Sequence, residues 1–340
     1  MKHAGKAATG FFLTVFLLWF VLKNVDFAEV LANIATGDML LLSASVFVAT
    51  FGFVIRAVRW RVLLLPVLPA SRMRSRFAAV AIGFMANNIL PARIGEFARP
   101  YALSRLEPVS ITAAFGSLVV ERFMDGVILL IFLVIPVFTP FFPDVAAVFE
   151  GGGLAIFQGA VALVLGVLVV LVLMATLPKQ FLAAARVALK VLPEAWSLRA
   201  TQLLEGLLQS MAIMREPRLL ALGFAWSLFF WTWHGLSFWL GMLAFDIDTG
   251  WLSAMFTEAV VGFGVALPSA PGFFGTFHAS AHFALTTVYG VAEEQSLAFA
   301  FAYHFGGWIP ITAIGLWFTW KLGFSLGDIG SAPQQIQVES

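Results

Sequence analysis

The stretch Phe77–Leu90 reads FAAVAIGFMANNIL, a mostly apolar run that ends at Pro91. A helix needs about 20 mostly apolar residues to cross the hydrocarbon core of a bilayer, so this stretch is too short to span it. Trp251–Leu267 has the same pattern, because it is another short apolar run that ends at a proline, Pro268. A second apolar or amphipathic piece follows each stretch, and short segments interrupted by proline are typical of re-entrant helix hairpins. The sequence therefore predicts two such hairpins.

The composition of the chain places both hairpins in a membrane. Of the 340 residues, 61 % are hydrophobic and 11 % are charged, and the mean hydropathy is +0.93. A soluble domain averages roughly 45–50 % apolar and about 25 % charged residues, so soluble globular and disordered proteins are both excluded. The absence of cysteine excludes disulfides, a thiolate nucleophile and a cysteine-ligated metal. The formal net charge is +1, and we expect no nucleic-acid partner.

Six further stretches are long and apolar enough to cross the membrane. They run approximately Ala8–Lys23, Met39–Trp60, Ile111–Phe138, Leu154–Leu177, Leu219–Phe245 and Leu297–Lys321. The expected fold class is an all-α polytopic membrane protein with six spanning helices and two oppositely oriented re-entrant hairpins, like an inverted-repeat transporter. No small-residue cleavage site follows Phe20, so we expect the first span to be kept rather than removed as a signal peptide.

The distribution of Lys and Arg supports this topology. Basic residues cluster before the first span, from Arg56 to Arg76 after the second, after the first hairpin, between the fourth and fifth spans, and after the sixth. If each hairpin returns to the side from which it enters, all these clusters lie on one side, which the positive-inside rule identifies as cytoplasmic. We therefore expect both termini to lie in the cytoplasm.

The two interrupted segments divide the chain into related halves. Leu90–Gly95 and Leu267–Gly272 are separated by about half of the chain, and their hairpins enter from opposite faces. Paired interrupted segments indicate an inverted-repeat transporter whose site lies where the tips meet. A chance recurrence of Leu-Pro is the alternative.

We expect a single membrane domain over residues 1–340. Its first half, 1–177, contains the re-entrant hairpin 77–106. Its second half, 178–325, contains a cytoplasmic amphipathic segment at 179–214 and the re-entrant hairpin 251–290, and residues 326–340 form a polar tail.

The third span carries ionisable residues, which are costly in a membrane and are therefore candidates for function. Glu121 and Asp125 are four residues apart, and Arg122 and Asp125 are three apart, so helical geometry brings Asp125 beside both. The trio has a net charge of −1. It either lines a transport path or forms an ion network that locks helix packing.

The first hairpin tip offers groups that suit an anion. Pro91 breaks the helix by removing a backbone donor, and Gly95 permits close backbone approach. A helix that restarts after the break presents free N–H groups, and an arginine there can fork onto a phosphate or onto a carboxylate. The candidate substrate residues at this tip are Asn87, Asn88, Arg93, Glu96 and Arg99. Alternatively, the Asn and Arg side chains cap the broken helix ends.

The second tip has the same potential. The residues that shape its turn are Pro268, Pro271, Gly272 and Gly275, and the candidate site residues around it are Glu258, Ser269, His278, His282 and His304. His278 and His282 lie one above the other on a helix, where they take up a proton, bind a headgroup or only pack. The pattern lacks the His-Glu-x-x-His arrangement, so we expect no metal. His234 lies among tryptophans and is expected at the membrane interface.

Three motifs in order carry a resemblance to a known family. They are Asn87-Asn88-Ile-Leu-Pro91-Ala-Arg93-Ile-Gly95-Glu96 followed by Arg99, then Glu121-Arg122-x-x-Asp125, and then Leu267-Pro268-x-x-Pro271-Gly272-x-x-Gly275. From about Phe51 to the end of the sixth span, the sequence resembles the flippase-like membrane family, which includes the transmembrane region of lysylphosphatidylglycerol synthases (the multiple peptide resistance factors). That family usually has Glu at the position of His278 and often Arg at that of His304. The resemblance therefore implies a less charged and more pH-sensitive site in this chain.

The resemblance implies a lipid substrate, and the hairpins imply alternating access. We expect a transporter rather than an enzyme, a translocase that moves an anionic or zwitterionic lipid between leaflets without a cofactor. The lipid is a phospholipid, an aminoacylated lipid or a polyprenyl-linked lipid. No Gly-x-x-x-x-Gly-Lys-Ser/Thr loop is present, so we expect movement that is downhill or coupled to an ion gradient, such as that of protons. The alternatives are an intramembrane enzyme acting on lipid headgroups and a scaffold for a lipid synthase or glycosyltransferase. A lipid-synthesising partner and a homo-oligomer stay open.

Overall fold

The computed structural model of the chain describes residues 25–143, 177–190, 216–267 and 269–339, with scattered positions from 12 to 23 and from 159 to 208. In the first half the helices are α1 (Phe27–Thr36), α2 (Met39–Leu64), α3 (Met73–Ile89), α4 (Gly95–Leu106) and α5 (Ile111–Val137). In the second half they are α6 (Pro178–Leu189), α7 (Pro217–Leu243), α8 (Trp251–Gly264), a 3-10 turn (Pro271–Phe273), α9 (Thr276–His282) with a π-helical turn (Phe283–Val288), α10 (Glu293–Lys321), α11 (Leu326–Gly330) and α12 (Ala332–Glu339). The described part is thus all-helical, as expected.

Short polar side chains start several of these helices. Asp26 accepts hydrogen bonds from the backbone N–H groups of Ala28 and Glu29 at the start of α1, and Asp38 does the same at the start of α2. Ser110 caps α5 by accepting from the N–H of Ala113. Such caps satisfy donors that the first turn of a helix leaves free, and they fix where each apolar run begins.

Three described helices, α2, α7 and α10, are long and apolar enough to cross a membrane. Helix α5 has the length of a span, with 27 residues, but it carries Glu121, Arg122 and Asp125. The predicted spans Ala8–Lys23 and Leu154–Leu177 lie largely outside the described residues. The chain is therefore a membrane protein with several apolar helices, and the count of six spans stays a prediction.

Helices α3 and α4 form an antiparallel hairpin around the predicted break. A Cβ atom added to Gly95 would lie 1.9 Å from the carbonyl oxygen of Gly83, and one added to Gly83 would lie 2.7 Å from Cβ of Arg99. The two backbones therefore touch without an intervening side chain, which only glycine permits. Helix α3 begins at Met73, four residues before the expected start at Phe77, and α4 ends at Leu106 as expected.

The second hairpin pairs α8 with α9. A Cβ atom added to Gly264 would lie 1.8 Å from Oγ of Ser280, and the ring centroids of Phe256 and Tyr289 are 5.8 Å apart. These contacts join residues before the turn to residues after it in antiparallel order. Between the arms, Pro271–Phe273 forms the 3-10 turn, while Pro268 lies outside the described residues.

An ion pair closes the base of the first hairpin. Arg72 precedes α3 and donates from Nε to Oε1 of Glu107, which follows α4, at 2.8 Å. The Arg72 guanidinium also donates to the carbonyl of Leu106 at 2.7 Å. Burial alone would raise the pKa of Glu107, but hydrogen bonds from Ser75 and Arg72 hold that pKa below its ordinary value. The two ends of the hairpin are thus joined by a charged clasp.

Part of the predicted polar tail is folded. Helices α11 and α12 lie within residues 326–340, and Ile329 and Ala332 are fully buried. Ala332 packs in a cluster with Tyr101 and Ile111, so the tail covers the end of the first hairpin. Of the predicted amphipathic segment 179–214, the structure describes α6 as a continuous helix and isolated positions beyond it.

Candidate functional site

The two hairpin tips touch each other. Nη1 of Arg93, in the first tip, donates to the carbonyls of Val265 at 3.1 Å and Ala266 at 2.9 Å, at the end of α8. The Arg93 guanidinium also lies 5.7 Å from the ring centroid of Phe273 in the second tip. Its Nη2 is 3.6 Å from Oε1 of Glu96. Arg93 therefore caps helix α8 and joins the two halves of the chain. The alternative that tip side chains cap broken helix ends thus applies to Arg93, but the helix that it caps belongs to the other hairpin.

The tips share an uncommon backbone conformation. Ala92 and Arg93 have φ angles of 60° and 54°, and Gly272 and Phe273 have φ angles of 73° and 62°. A residue other than glycine with positive φ is uncommon, because its Cβ crowds the backbone. Each tip thus contains two consecutive left-handed residues, and Arg93 corresponds to Phe273. Aligning Leu90-Pro91 with Leu267-Pro268 would instead pair Arg93 with Ala270, three positions before Phe273.

A buried ion cluster surrounds Glu121 of α5. Nη1 and Nη2 of Arg99 donate to its two carboxylate oxygens at 2.8 and 2.9 Å, which is bidentate geometry. Arg122 donates to the same carboxylate at 2.9 Å, and Nη2 of Arg59 lies 3.0 Å from it. The Arg99 guanidinium also lies 4.0 Å from the ring centroid of Trp60. Arg99, which we predicted for substrate binding, is therefore held by Glu121.

The second carboxylate of the cluster is Asp125. It accepts from Nη1 of Arg59 at 2.5 Å and from Nε1 of Trp231 at 2.8 Å. The predicted contact with Arg122 is present at 3.7 Å. Four guanidinium groups, those of Arg56, Arg59, Arg99 and Arg122, surround the two carboxylates, so the cluster carries a formal charge of +2.

Two of these arginines were not among the predicted site residues. Arg56 and Arg59 were assigned to a cytoplasmic basic cluster, but both are buried inside the protein. Their positions, three apart in the last turns of an apolar helix, were the available signal. Their partners in α5 lie 66 residues along the chain from Arg59, so the sequence could not show the pairing. The net charge of −1 computed for the predicted trio therefore does not describe the site.

A cavity of about 200 Å³ opens beside this cluster, between the two hairpins. Its lining comes from both halves of the chain. The polar and aromatic residues of that lining include Arg56, Phe84, Asn88, Trp231, His234, Glu258, Phe273, Tyr303, His304 and Trp308. Among the predicted site residues, Asn88, Glu258 and His304 line the cavity. Arg93, Arg99, Glu121 and Asp125 are outside that lining, as the structure describes it.

Several polar atoms of the lining are buried without a hydrogen-bond partner among the described residues. They are Nη1 of Arg56, Oε2 of Glu258, Nδ1 of His304 and Nε1 of Trp308. Buried polar groups in proteins are usually satisfied, so an unsatisfied one needs an explanation. Four residues that line one cavity therefore each carry a buried polar atom without a described partner.

Arg56 is the cation of the cavity. Its guanidinium stacks on Phe230 at 3.9 Å from the ring centroid, and the carboxylates of Glu121 and Asp125 are 3.6 and 3.7 Å away. Those distances are too long for hydrogen bonds. Arg56 therefore keeps donor capacity that the cluster does not use, in the part of the chain that the structure describes.

Glu258 of α8 and His234 of α7 form a pair in the cavity wall. Nδ1 of His234 is 2.7 Å from Oε1 of Glu258, and the side chain of Glu258 is 1 % exposed. His234 was expected at the membrane interface, but the structure places it in the cavity. The two residues are 24 positions apart on different helices, so their contact depends on tertiary packing.

The three histidines predicted for the second hairpin have different surroundings. The rings of His278 and His304 are 5.0 Å apart, and both nitrogens of His278 lack a partner among described residues. The backbone of Gly272 hydrogen-bonds His304. His282 instead lies beside Ser296, with its Nδ1 at 2.7 Å from the hydroxyl, so it does not join the pair. Among the described residues, no group of three or more His, Asp or Glu is placed to hold a metal ion.

The remaining predicted tip residues have separate surroundings. Asn88 donates to Oγ1 of Thr312 in α10 at 2.8 Å. Asn87 packs against Gly95, where an added Cβ would lie 2.5 Å from Oδ1 of Asn87. The hydroxyl of Ser269 is buried without a described partner. Gly275, with φ of 83°, precedes α9 and packs against the backbone of Thr14.

Comparison with known proteins identifies relatives of the chain. The sequence model of a family described as "Lysylphosphatidylglycerol synthase TM region" matches residues 7–315. The chain is 27 % identical over 116 residues to Glycosyltransferase AglD of Haloferax volcanii, a stretch that covers 34 % of this chain and 19 % of that protein. It is 36 % identical over 81 residues to UPF0104 membrane protein MJ1595 of Methanocaldococcus jannaschii, which covers 23 % of this chain and 24 % of that protein. The matches thus span a quarter or less of either relative. No solved structure matches the chain.

Proposed function

This chain belongs to the family of the lysylphosphatidylglycerol synthase transmembrane region, and on that premise we propose that it is a lipid translocase. It moves an anionic or zwitterionic lipid between the leaflets of a bacterial inner membrane without hydrolysing ATP. Its six spans place both termini in the cytoplasm, and its two hairpins enter the membrane from opposite sides. The cavity between the hairpin tips takes the lipid headgroup.

The observation that carries this proposal is the cavity with its unsatisfied polar atoms. A ligand site is expected to be mainly apolar with a few convergent polar groups, and this lining combines aromatic rings with Arg56, Asn88 and Glu258. Sites for whole drug-sized molecules usually enclose about 300–1,000 Å³. The volume of about 200 Å³ suits a headgroup alone, with the acyl chains left in the membrane.

Contact between the tips supports alternating access around this cavity. In inverted-repeat transporters, interrupted helices from both halves meet at a central site, and one half moves against the other. Here Arg93 contacts the carbonyls of α8 and also pairs with Glu96, which lies 3.9 Å from Arg122 in the ion cluster. A conformational change at the tips therefore reaches α5 through the ion pairs of Arg93 with Glu96 and of Glu96 with Arg122. Rearrangement of these pairs is the proposed difference between the two access states.

Reconstitution into liposomes tests the proposal. The purified chain is placed in vesicles that contain a trace of fluorescent phosphatidylglycerol, phosphatidylethanolamine, lysylphosphatidylglycerol or polyprenyl phosphate, and a membrane-impermeant quencher reports the outer-leaflet fraction. Faster exchange of one lipid class than in protein-free vesicles is expected. Equal rates for all lipids with and without a correctly folded protein would contradict it.

A matched pair of glycine variants assigns transport to the cavity. Gly307 lines the cavity and Gly330 lies in α11, and a Cβ atom at either would meet no described atom within 4 Å. Gly307→Leu is expected to block exchange, because its side chain enters the lining. Gly330→Leu is expected to leave exchange at the wild-type rate. Normal exchange by a folded Gly307→Leu protein would remove the cavity from the path.

A second candidate is an intramembrane enzyme that acts on lipid headgroups. The contact of Glu258 with His234 favours it, because a carboxyl and an imidazole in contact can serve as general acid and base. The same vesicles distinguish the two functions, since an enzyme changes the mass of the lipid whereas a translocase changes only its leaflet. A third role, as scaffold for a lipid synthase or glycosyltransferase, predicts neither change.

A further inference from the structure

The three carboxylates buried deepest around the site have different partners. Glu121 is surrounded by Arg99, Arg59 and Arg122, and Asp125 is bonded to Arg59. Glu258 is equally buried, but in the described structure its one ion-pair contact is with His234, and its Oε2 has no hydrogen-bond partner. Glu258 thus lacks the guanidinium that would neutralise it at contact distance.

A buried carboxylate without such a partner favours the binding of a cation. Placing an isolated charge in an apolar interior is costly, and the usual response is neutralisation by a proton. The distance of 2.7 Å between Nδ1 of His234 and Oε1 of Glu258 is that of a hydrogen bond, which requires one proton on one of these two atoms. A second proton on the pair would occupy the remaining carboxylate oxygen or ring nitrogen.

Arg56 provides the opposite preference in the same cavity. It belongs to a cluster with an excess of two positive charges, and its free Nη1 lacks a described hydrogen-bond partner. Guanidinium groups bind phosphate and carboxylate through charge-assisted hydrogen bonds. The group that suits Arg56 is therefore an anion, such as the phosphate of a lipid headgroup.

We propose that the cavity binds an anionic group at Arg56 and one proton at the Glu258–His234 pair as a coupled event. This inference rests on the proposed function, and it names the coupling ion and the residues that take it. Arg56 and Glu258 line the same cavity of about 200 Å³, and we take the separation of an anion at Arg56 from an ionised Glu258 as roughly 7 Å. At an effective dielectric constant of about 20, their repulsion weakens binding roughly 50-fold. Uptake of a proton removes that repulsion, and by linkage each ligand strengthens the binding of the other by the same factor.

The other ionisable groups around the Glu258–His234 pair have partners of their own or contact each other. The proposed coupling therefore involves Arg56, Glu258 and His234. Helix α2 contributes Arg56, and α10 contributes His304 and Tyr303, whose hydroxyl is 2.6 Å from Oγ of Ser237. Helix α9 contributes His278, whose ring packs on that of His304. The carboxylates of α5, which also packs against α8, face Arg59, Arg99 and Arg122 instead.

Proton counting during binding tests the inference. The purified full chain in neutral detergent is titrated by calorimetry with dioctanoyl phosphatidylglycerol, in two buffers of different ionisation enthalpy and at several pH values. Uptake of up to one proton per lipid is expected in the pH range where the free pair lacks that proton and the lipid-bound pair holds it. Across that range the apparent affinity is expected to fall with rising pH by about 50-fold in total, which is the coupling factor given above. Glycerol phosphate in place of the lipid shows whether a free phosphate suffices, and dioctanoyl phosphatidylcholine shows the effect of removing net negative charge.

Three variants make the result specific. Glu258→Gln, which is neutral at every pH, is expected to bind the anionic lipid with little pH dependence and without proton uptake. Arg56→Gln is expected to weaken binding at least tenfold, and its thermal unfolding is measured in parallel. Glu29→Gln makes the same chemical change at an exposed position of α1 and is expected to match the wild type.

Several outcomes would overturn the inference. They are binding without proton uptake, proton uptake that persists in Glu258→Gln, and no measurable binding of either anionic probe. If Arg56→Gln does not fold, the titrations of the wild type and of Glu258→Gln still show whether lipid binding takes up a proton at the pair. Lipid exchange in vesicles without proton uptake would contradict this inference and leave the translocase standing. Proton-coupled binding without lipid exchange would support this inference and contradict the translocase.

Discussion

The guanidinium of Arg93 lies over the ring of Phe273, and both residues have left-handed backbone conformations although neither is glycine. They occupy equivalent places in the two hairpin tips, because each is the second of two consecutive left-handed residues. In the proposed inverted repeat, equivalent residues meet where the pseudo-two-fold axis passes. The contact therefore marks the point at which the two halves of the proposed transporter are joined.

Substitution of Arg93 is expected to separate stability from transport. Arg93→Ala loses the hydrogen bonds to Val265 and Ala266, at a cost of about 2 kcal/mol, because hydrogen bonds from a charged donor contribute about 1.5–3 kcal/mol. Arg93→Gly loses the same bonds but recovers about 1 kcal/mol, since glycine adopts positive φ without strain. Thermal unfolding in detergent should therefore rank wild type above Gly and Gly above Ala. Both variants should lose transport by roughly tenfold or more, and a variant Arg93→Gly that transports normally would disprove a role for the side chain.

Substitution of Gly95 is expected to open the first hairpin. Gly95→Ala would bring Cβ within 1.9 Å of the Gly83 carbonyl oxygen, which is backbone and cannot rotate away. Overpacking of this kind costs about 1–3 kcal/mol or more. The expected result is a lower unfolding temperature and loss of lipid exchange. Gly330→Ala is the control, because its Cβ would meet no described atom within 4 Å; equal unfolding temperatures for the two variants would contradict the close packing.

Removal of the Glu121 charge is expected to destabilise the protein strongly. Glu121→Gln leaves Arg99 and its neighbours with Asp125 as the one fully buried carboxylate of the described cluster. Breaking a buried ion pair by removing one partner costs about 3–5 kcal/mol. Glu96→Gln removes a half-exposed carboxylate whose arginine contacts are 3.6 and 3.9 Å long, and such pairs contribute about 0–1 kcal/mol. Unfolding followed by tryptophan fluorescence should separate the two variants clearly.

The clasp at the base of the first hairpin is expected to weaken in acid. The pKa of Glu107 is lower in the folded protein than in the unfolded chain, because the opposing effect of burial is exceeded by hydrogen bonds from Ser75 and Arg72. Its stabilising contribution is therefore complete above the unfolded pKa of about 4.3 and is lost as the pH falls through the folded value. Between pH 7 and about pH 3.5, the unfolding temperature should fall less for Glu107→Gln than for the wild type. Parallel curves for the two proteins would show that Glu107 does not contribute.

Local features of the fold follow from the sequence because they depend on neighbouring residues. Pro91 ends an apolar run that is too short to span, and the structure breaks α3 from α4 there. The spacing of Arg122 and Asp125 predicts their contact, and the structure contains it. A proline or a three-residue spacing acts within one helix, so no knowledge of packing is needed.

The composition of the site depends on which helices pack together, and the sequence lacks that information. Arg59 reaches Asp125 across 66 residues, and His234 reaches Glu258 across 24. His278 and His282 are on one side of α9 by spacing. Yet the ring of His278 packs against that of His304, whereas Nδ1 of His282 is at hydrogen-bond distance from the hydroxyl of Ser296. A pattern within a helix identifies a face, but the neighbouring helices determine what that face meets.

The backbone contact between Gly83 and Gly95 has a mechanical consequence. Side chains between two helices form a compliant layer that can shear as rotamers change, and α3 and α4 lack that layer where they cross. The first hairpin is therefore held tightly at this crossing, and the ion pair of Arg72 with Glu107 joins its open end. In the proposed translocase, these two contacts favour movement of the first hairpin as one unit over bending within it. We therefore expect the motion that carries a lipid to be a rotation of the whole hairpin about its two connecting loops.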